Sequence, residues 1–191
     1  MPGELAPVHD SWRIWSHAGS WTYALRAADG DNAANGALVG QLLAALDGFA
    51  RPRWAILDGG PTDGWSDEVT TSDPHAVAHA IARAPVPVQS AQVRLDLLAW
   101  ARQRPDGPPE LGWMRDLADL DLALEPDGYV ALWLGHTLFV PGNLNGPPND
   151  TLYALNAPLL ADALATLAAR GPLVDASGLD GVGPTGFTER R

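Results

Sequence analysis

"LADLDLAL", residues Leu117 to Leu124, is the stretch that decides the fold. Apolar and acidic side chains alternate through it with the period of two that belongs to a β-strand. Ala118, Leu120, Leu122 and Leu124 take one face, and Leu117, Asp119 and Asp121 take the other. The first face needs a core and the aspartate face is predicted to be wet. A strand of this kind belongs to a sheet covered on one side.

The flanking sequence extends that sheet. Asp127-Gly128 is a hairpin signal, and Tyr129–Leu134 and Thr137–Val140 are predicted strands around Gly135-His136. Upstream, Gln92–Trp100 is a strand separated from the opening stretch by the proline-rich loop "RQRPDGPPE". "RWAILDGG" is nearly all apolar and predicts a short strand buried on both faces. Near the start, Trp12–His17 and Trp21–Ala27 predict a strand pair. Its apolar face carries Trp12, Ile14, Trp21, Tyr23 and Leu25, while Trp15 shares a polar face with Arg13 and His17.

Helices alternate with these strands. Leu38, Leu42, Leu46 and Phe49 predict a helix over Ala37–Phe49, with Asp31 or Asn32 as its cap. Asp73-Pro74 reads as N-cap and first helical position of a second helix reaching about Ala84. Asn156 is expected to cap a last helix to about Arg170, before "GPLVDAS" returns as a strand, and Gly59–Ser72 is predicted to be loop. The elements fit an α+β fold: a mostly antiparallel, mixed sheet with about three helices packed on it. Residues 1–10 are expected to form a flexible leader, 11–180 a single domain and 181–191 a flexible tail. Leu42–Gly60 and Leu159–Gly178 echo each other, each a leucine-rich helix leading to a short strand that ends in aspartate. The echo raises two possible β-loop-α-β pseudo-repeats.

Composition narrows the function. The 191 residues carry 23 acidic and 12 basic side chains, a formal net charge of −11, and every basic one is arginine. Such a balance argues against nucleic acid, whose binding rests on phosphate neutralisation, and against an anionic membrane surface. It permits a basic protein partner, with charge steering the encounter. Cysteine is absent, which removes disulfides and thiolate chemistry. The start has no secretory pattern and no run approaches 18 apolar residues, so the expectation is a cytoplasmic protein without a membrane span.

Candidate chemistry is sparse. "GVGPTG", Gly181–Gly186, matches a dinucleotide glycine pattern in letters only, since Pro184 interrupts it and no ribose-binding acid follows. His75 and His79 stand four apart on a predicted helix, a spacing that can hold a metal, but Arg83 continues their stripe. Asp58 ends a predicted strand, where a turn role competes with a catalytic one. No nucleophile elbow, phosphate loop or cofactor signature is present. Asp63, Asp67 and Glu68 form an acidic loop around Trp65, a pattern that suits a protein-binding surface. Trp15 joins them as a candidate contact.

The layout of "YALRAADGDNAANGALVGQLLAALDGFARPRW", Tyr23–Trp54, resembles the immunity proteins of bacterial polymorphic-toxin systems. A strand, a polar loop, a leucine-rich helix and a following tryptophan carry the resemblance. It implies a small acidic protein without catalytic residues that neutralises a toxin by binding it. The expectation is therefore an acidic protein-binding protein of the immunity or antitoxin kind, contacting its partner through Trp15, Trp65, Asp63, Asp67 and Glu68. The partner would be a basic toxin domain, and no cofactor is implied. The alternatives are a small hydrolase or metal-dependent enzyme built on Asp58 and the histidines, and a small-ligand binder using the N-terminal tryptophans.

Overall fold

The alternating stretch forms the second half of a longer strand, Pro109–Ala123. The computed structural model describes residues 2–5, 19–62, 64–104, 106–135, 137–139 and 150–175. Its strands in chain order are β1 (Gly19–Leu25), β2 (Ala50–Asp58), β3 (Ser66–Thr70), β4 (Ser90–Arg102), β5 (Pro109–Ala123), β6 (Gly128–Leu134) and β7 (Leu173–Asp175). They form one sheet in the order β3-β2-β4-β5-β6-β1-β7, with every pairing antiparallel. Three helices, α1 (Asn32–Ala45), α2 (Pro74–Ala82) and α3 (Asp150–Arg170), complete the α+β fold.

The core lies between the helices and one face of the sheet. Trp21, Tyr23 and Leu25 of β1, Val130 and Leu132 of β6 and Leu120 of β5 are 0–1% exposed, as are Val39 and Leu42 of α1 and Val77 and Ile81 of α2. Burying each large side chain of this kind contributes about 1.5–3 kcal/mol. The N-terminal strand is therefore apolar toward the helices as the alternation predicts, but it is sheathed between β6 and β7. The expected strand Trp12–His17 lies outside the described residues. Residues 3–5, expected within a flexible leader, are tied to β5: Trp113 N–H donates to Gly3 O and Leu5 N–H to Trp113 O, each at 3.0 Å.

Helix starts follow their caps. Asp31 accepts from Ala34 N–H at 3.0 Å and so starts α1 at Asn32, six residues before the apolar stripe begins at Leu38. Asp73 accepts from His75 N–H at 2.9 Å and starts α2, with Pro74 at the first position. The two helices approach closely because Gly36 faces Ala78: a Cβ there would stand 2.5 Å from Ala78 O.

Three asparagines act as pieces of backbone. Asn35, 1% exposed, accepts from Ala28 N–H at 2.8 Å and donates to Ala28 O at 2.9 Å. Asn32 accepts from Val88 N–H and donates to Val86 O, tying α1 to the segment before β4. Asn156, fully buried, pairs with both backbone groups of Trp100 beyond the point where β2 begins. Each amide has the donor and acceptor of a peptide unit and closes a backbone pair that would otherwise be buried unmet.

Several expectations change. Asn156 is not a helix cap; α3 starts at Asp150, and Asn156 faces sideways onto β4. The expected loop Gly59–Ser72 contains β3, and Thr137–Phe139 is a turn of 3₁₀ helix rather than a strand. β2 is not buried on both faces, since Ile56 is 39% exposed. The sequence echo is local: β1 and β2 stand four positions apart in the sheet and β6 and β7 two, so the two units do not occupy equivalent places. α3 is long and apolar enough to cross a membrane by composition, yet Leu160, Leu164 and Leu167 sit in the core.

Candidate functional site

The sheet face turned away from the helices carries most of the unusual side chains. Pairing sets them in transverse rows. One row runs Thr70–Trp54–Arg94–Asp119–Trp133–Ser20 across six strands. The next runs Glu68–Ile56–Gln92–Asp121–Ala131–Thr22. A third begins Ser66–Asp58–Ser90–Ala123. Alternation creates these rows: each member follows or precedes a core residue by one position.

The first row is internally neutralised. Arg94 donates its Nε–H to Asp119 Oδ1, and its guanidinium carbon lies 5.3 Å from the Trp54 ring centroid. Burial nonetheless pushes the Asp119 carboxyl above the usual aspartate range, against the pull of Arg94 and with a further push from Asp121. The same end of the face holds a second charge cluster. Asp96, 3% exposed, accepts from Arg51 Nη2 at 3.3 Å and lies 3.8 Å from Arg53 Nη1. Arg51 also reaches Glu4 at 3.1 Å and stacks 4.6 Å from the Trp113 centroid. Arg115 bonds Glu4 and holds its carboxyl below the ordinary range. Arg53 pairs with Asp116 at 3.4 Å. Three guanidinium groups thus meet three carboxylates.

This cluster fixes an irregularity in β5. Asp116 has φ 56, in the left-handed region that aspartate tolerates better than most residues. Three residues, Arg115 to Leu117, face the single Asp96 across the strand pair, and Asp96 accepts Asp116 N–H at 3.2 Å. The bulge also explains why Leu117 is 4% exposed although parity places it with Asp119 and Asp121.

The other end of the face differs. Ile56 at 39% and Tyr129 at 46% are the exposed large hydrophobic residues among those described. They stand on β2 and β6, three strand spacings apart across the sheet and one row apart along it. Between and beside them lie Asp58, Glu68 and Asp121, and among the described residues no ion pair reaches any of the three. Gln92 donates to Asp121 at 3.1 Å, and Asp58 receives Gly60 N–H in a tight turn. The surface is apolar at two points and carries three acids that no arginine pairs with among the described residues.

The sequence-derived candidates fall in several places. Asp67 and Glu68 are exposed on β3, the edge strand. Trp65 is half-buried and packs on the core, so it is not the exposed anchor its loop suggested. Trp15 and Asp63 lie outside the described residues. His75 and His79 are exposed on α2, in the helical layer, whereas Asp58 stands on the opposite face; the three do not converge. Asp73, their nearest acid in sequence, is occupied as the α2 cap. Among the described residues no group of three metal-ligating side chains forms. The cleft between α1 and α3, about 190 Å³, is lined by Leu46, Phe49, Leu98 and Leu159 with Asp47 and Asp162, and contains no acid–base pair.

Ile56 and Tyr129 were missed because each was counted within a strand without asking which face the helices leave bare. The signal was present: Ile56 is two residues from Trp54 and Asp58, on the parity opposite Ala55 and Leu57. No protein-family model matches the chain, and neither a curated protein nor a solved structure matches it.

Proposed function

We propose that this chain is a non-enzymatic, acidic binding protein that receives a basic protein partner on the sheet face turned away from the helices. The single observation that carries the reading is Ile56 and Tyr129, two exposed apolar anchors beside Asp58, Glu68 and Asp121, which no arginine pairs with among the described residues. Aromatic and aliphatic anchors supply the hot spots of protein interfaces, and unneutralised charge raises the encounter rate and selects the sign of the partner. The concrete form is an immunity or antitoxin protein acting on a toxin domain in the cytoplasm, which rests on the layout of Tyr23–Trp54.

The test compares the wild type with Ile56→Asp/Tyr129→Asp as bait in extracts of the native cell. The wild type should enrich a basic protein that the double variant loses, while His75→Ala/His79→Ala retains it. Equal capture by all three baits would place the contact elsewhere. For the immunity form, co-expression should relieve the toxicity of the captured protein, and the double variant should not.

A further inference from the structure

Among the described residues, the acidic end of the sheet face runs out to an edge strand. β3 pairs with β2 and is the last strand on its side of the sheet. Gly59 N–H donates to Trp65 O and Thr71 N–H to Arg53 O, which sets the hydrogen-bonding parity of the pair. Asp67 and Val69 therefore share their backbone groups with β2. Ser66, Glu68 and Thr70 turn theirs outward. Their side chains also head the three rows, beside Asp58, Ile56 and Trp54.

We infer that β3 accepts an extended segment of a partner protein as an eighth strand, with basic side chains at alternate positions. This rests on the protein-binding reading above and names how the partner would enter. Charge complementarity selects the occupant. From Arg53 to Arg83 the chain contains no basic residue other than His75 and His79, while Asp58, Asp63, Asp67, Glu68 and Asp73 lie between them. An added strand would continue the rows, bringing every second side chain beside Ser66, Glu68 and Thr70. A second copy of this chain fits poorly. An isologous antiparallel pairing centred on Glu68 sets Glu68 directly opposite Glu68, and like charges opposed across strands are destabilising.

One contact guards the edge. Asp67 Oδ1 accepts Glu68 N–H at 2.9 Å, occupying the central outward donor. A neutral strand gains nothing by displacing it. A basic strand gains the attraction of Glu68 and so can displace the contact, and the guard thereby favours basic segments and opposes edge-to-edge aggregation.

The probe is a synthetic peptide of alternating Lys and Val, followed by amide chemical shifts and hydrogen exchange in ¹⁵N-labelled full-length protein. A peptide of alternating Glu and Val is the control. Binding should protect the Ser66, Glu68 and Thr70 amides at least tenfold, with cross-strand contacts from the peptide to β3, and the Glu–Val peptide should give none. Thr70→Pro removes an outward N–H that β2 does not use, so it should fold normally and lose at least tenfold in affinity. Asp67→Ala should admit a neutral Thr–Val peptide that the wild type rejects. Shifts confined to Ile56 and Tyr129, without protection on β3, would overturn the edge inference and leave the face reading standing. No shift at either place would count against both. Protection of β3 that grows with protein concentration alone would identify a second copy as the occupant and overturn the basic partner.

Discussion

Asn156 and Trp100 are joined by two hydrogen bonds, Trp100 N–H to Asn156 Oδ1 at 2.7 Å and Asn156 Nδ2 to Trp100 O at 2.9 Å. A helix side chain thereby completes a strand where its neighbour has ended. Asn156→Ala leaves both backbone groups buried and unmet, each costing about 1–3 kcal/mol. The expected result is a loss of about 2–4 kcal/mol in urea unfolding, with faster exchange of the Trp100 amide. Asn156→Asp should also destabilise, because it keeps the acceptor and removes the donor.

Gly36→Ala tests the α1–α2 contact. Alanine favours an isolated helix by about 1 kcal/mol over glycine. Here its Cβ meets the Ala78 carbonyl, a backbone atom that cannot rotate away. A net loss of about 1–3 kcal/mol is expected from the overpacking. Gly40→Ala, whose Cβ would meet only the Ala78 methyl at 3.2 Å, should cost less. Thermal unfolding of the two variants side by side checks the order.

Asp96→Ala should be the most damaging change on the sheet face away from the helices. It leaves Arg51 and Arg53 without their buried partner and frees the Asp116 amide. Breaking a buried ion pair from one side costs about 3–5 kcal/mol. Both arginines remain about a third exposed, which places the expected loss near the lower end. Local exchange at Asp116 should rise more than exchange in β1.

Two carboxylates should titrate in opposite directions. Arg115 lowers Glu4, so its contribution is present above the unfolded value and is lost as pH falls through the folded one. Acidification should therefore release Gly3 and Leu5 from Trp113, seen in their amide shifts. Burial raises Asp119, so its folded form holds its proton more tightly. Its contribution is present below the unfolded value and lost as pH rises through the folded one. Carboxyl ¹³C shifts should place Asp119 above and Glu4 below their free-peptide counterparts; the reverse order would remove the burial argument for Asp119.

Much of the fold was legible in short stretches. Asp31 and Asp73 announced two helices because a cap works through bonds to residues two or three positions away. "LADLDLAL" announced a one-sided strand because alternation is local geometry. Trp21, Tyr23 and Leu25 announced their shared face for the same reason. Boundaries were less legible. β3 was hidden because Ser66, Asp67 and Glu68 have little strand propensity and gain their conformation by pairing with β2. Asn156 looked like a cap because an asparagine before a leucine-rich run has that local meaning, while its actual partner is 56 residues away.

The site was the least legible part. Sequence alone determined an acidic α+β chain with one-sided strands, since charge, hydrophobic period and caps are properties of residues and near neighbours. Only the tertiary structure decided that the helices cover a single face and that strand order sets Arg94 between Trp54 and Asp119. It also gathered Arg51, Arg53, Arg94 and Arg115 with their carboxylate partners toward one end of the face away from the helices and left Ile56, Tyr129, Asp58, Glu68 and Asp121 toward the other. Strand order arises from contacts between residues far apart in the chain, and no local pattern encodes it.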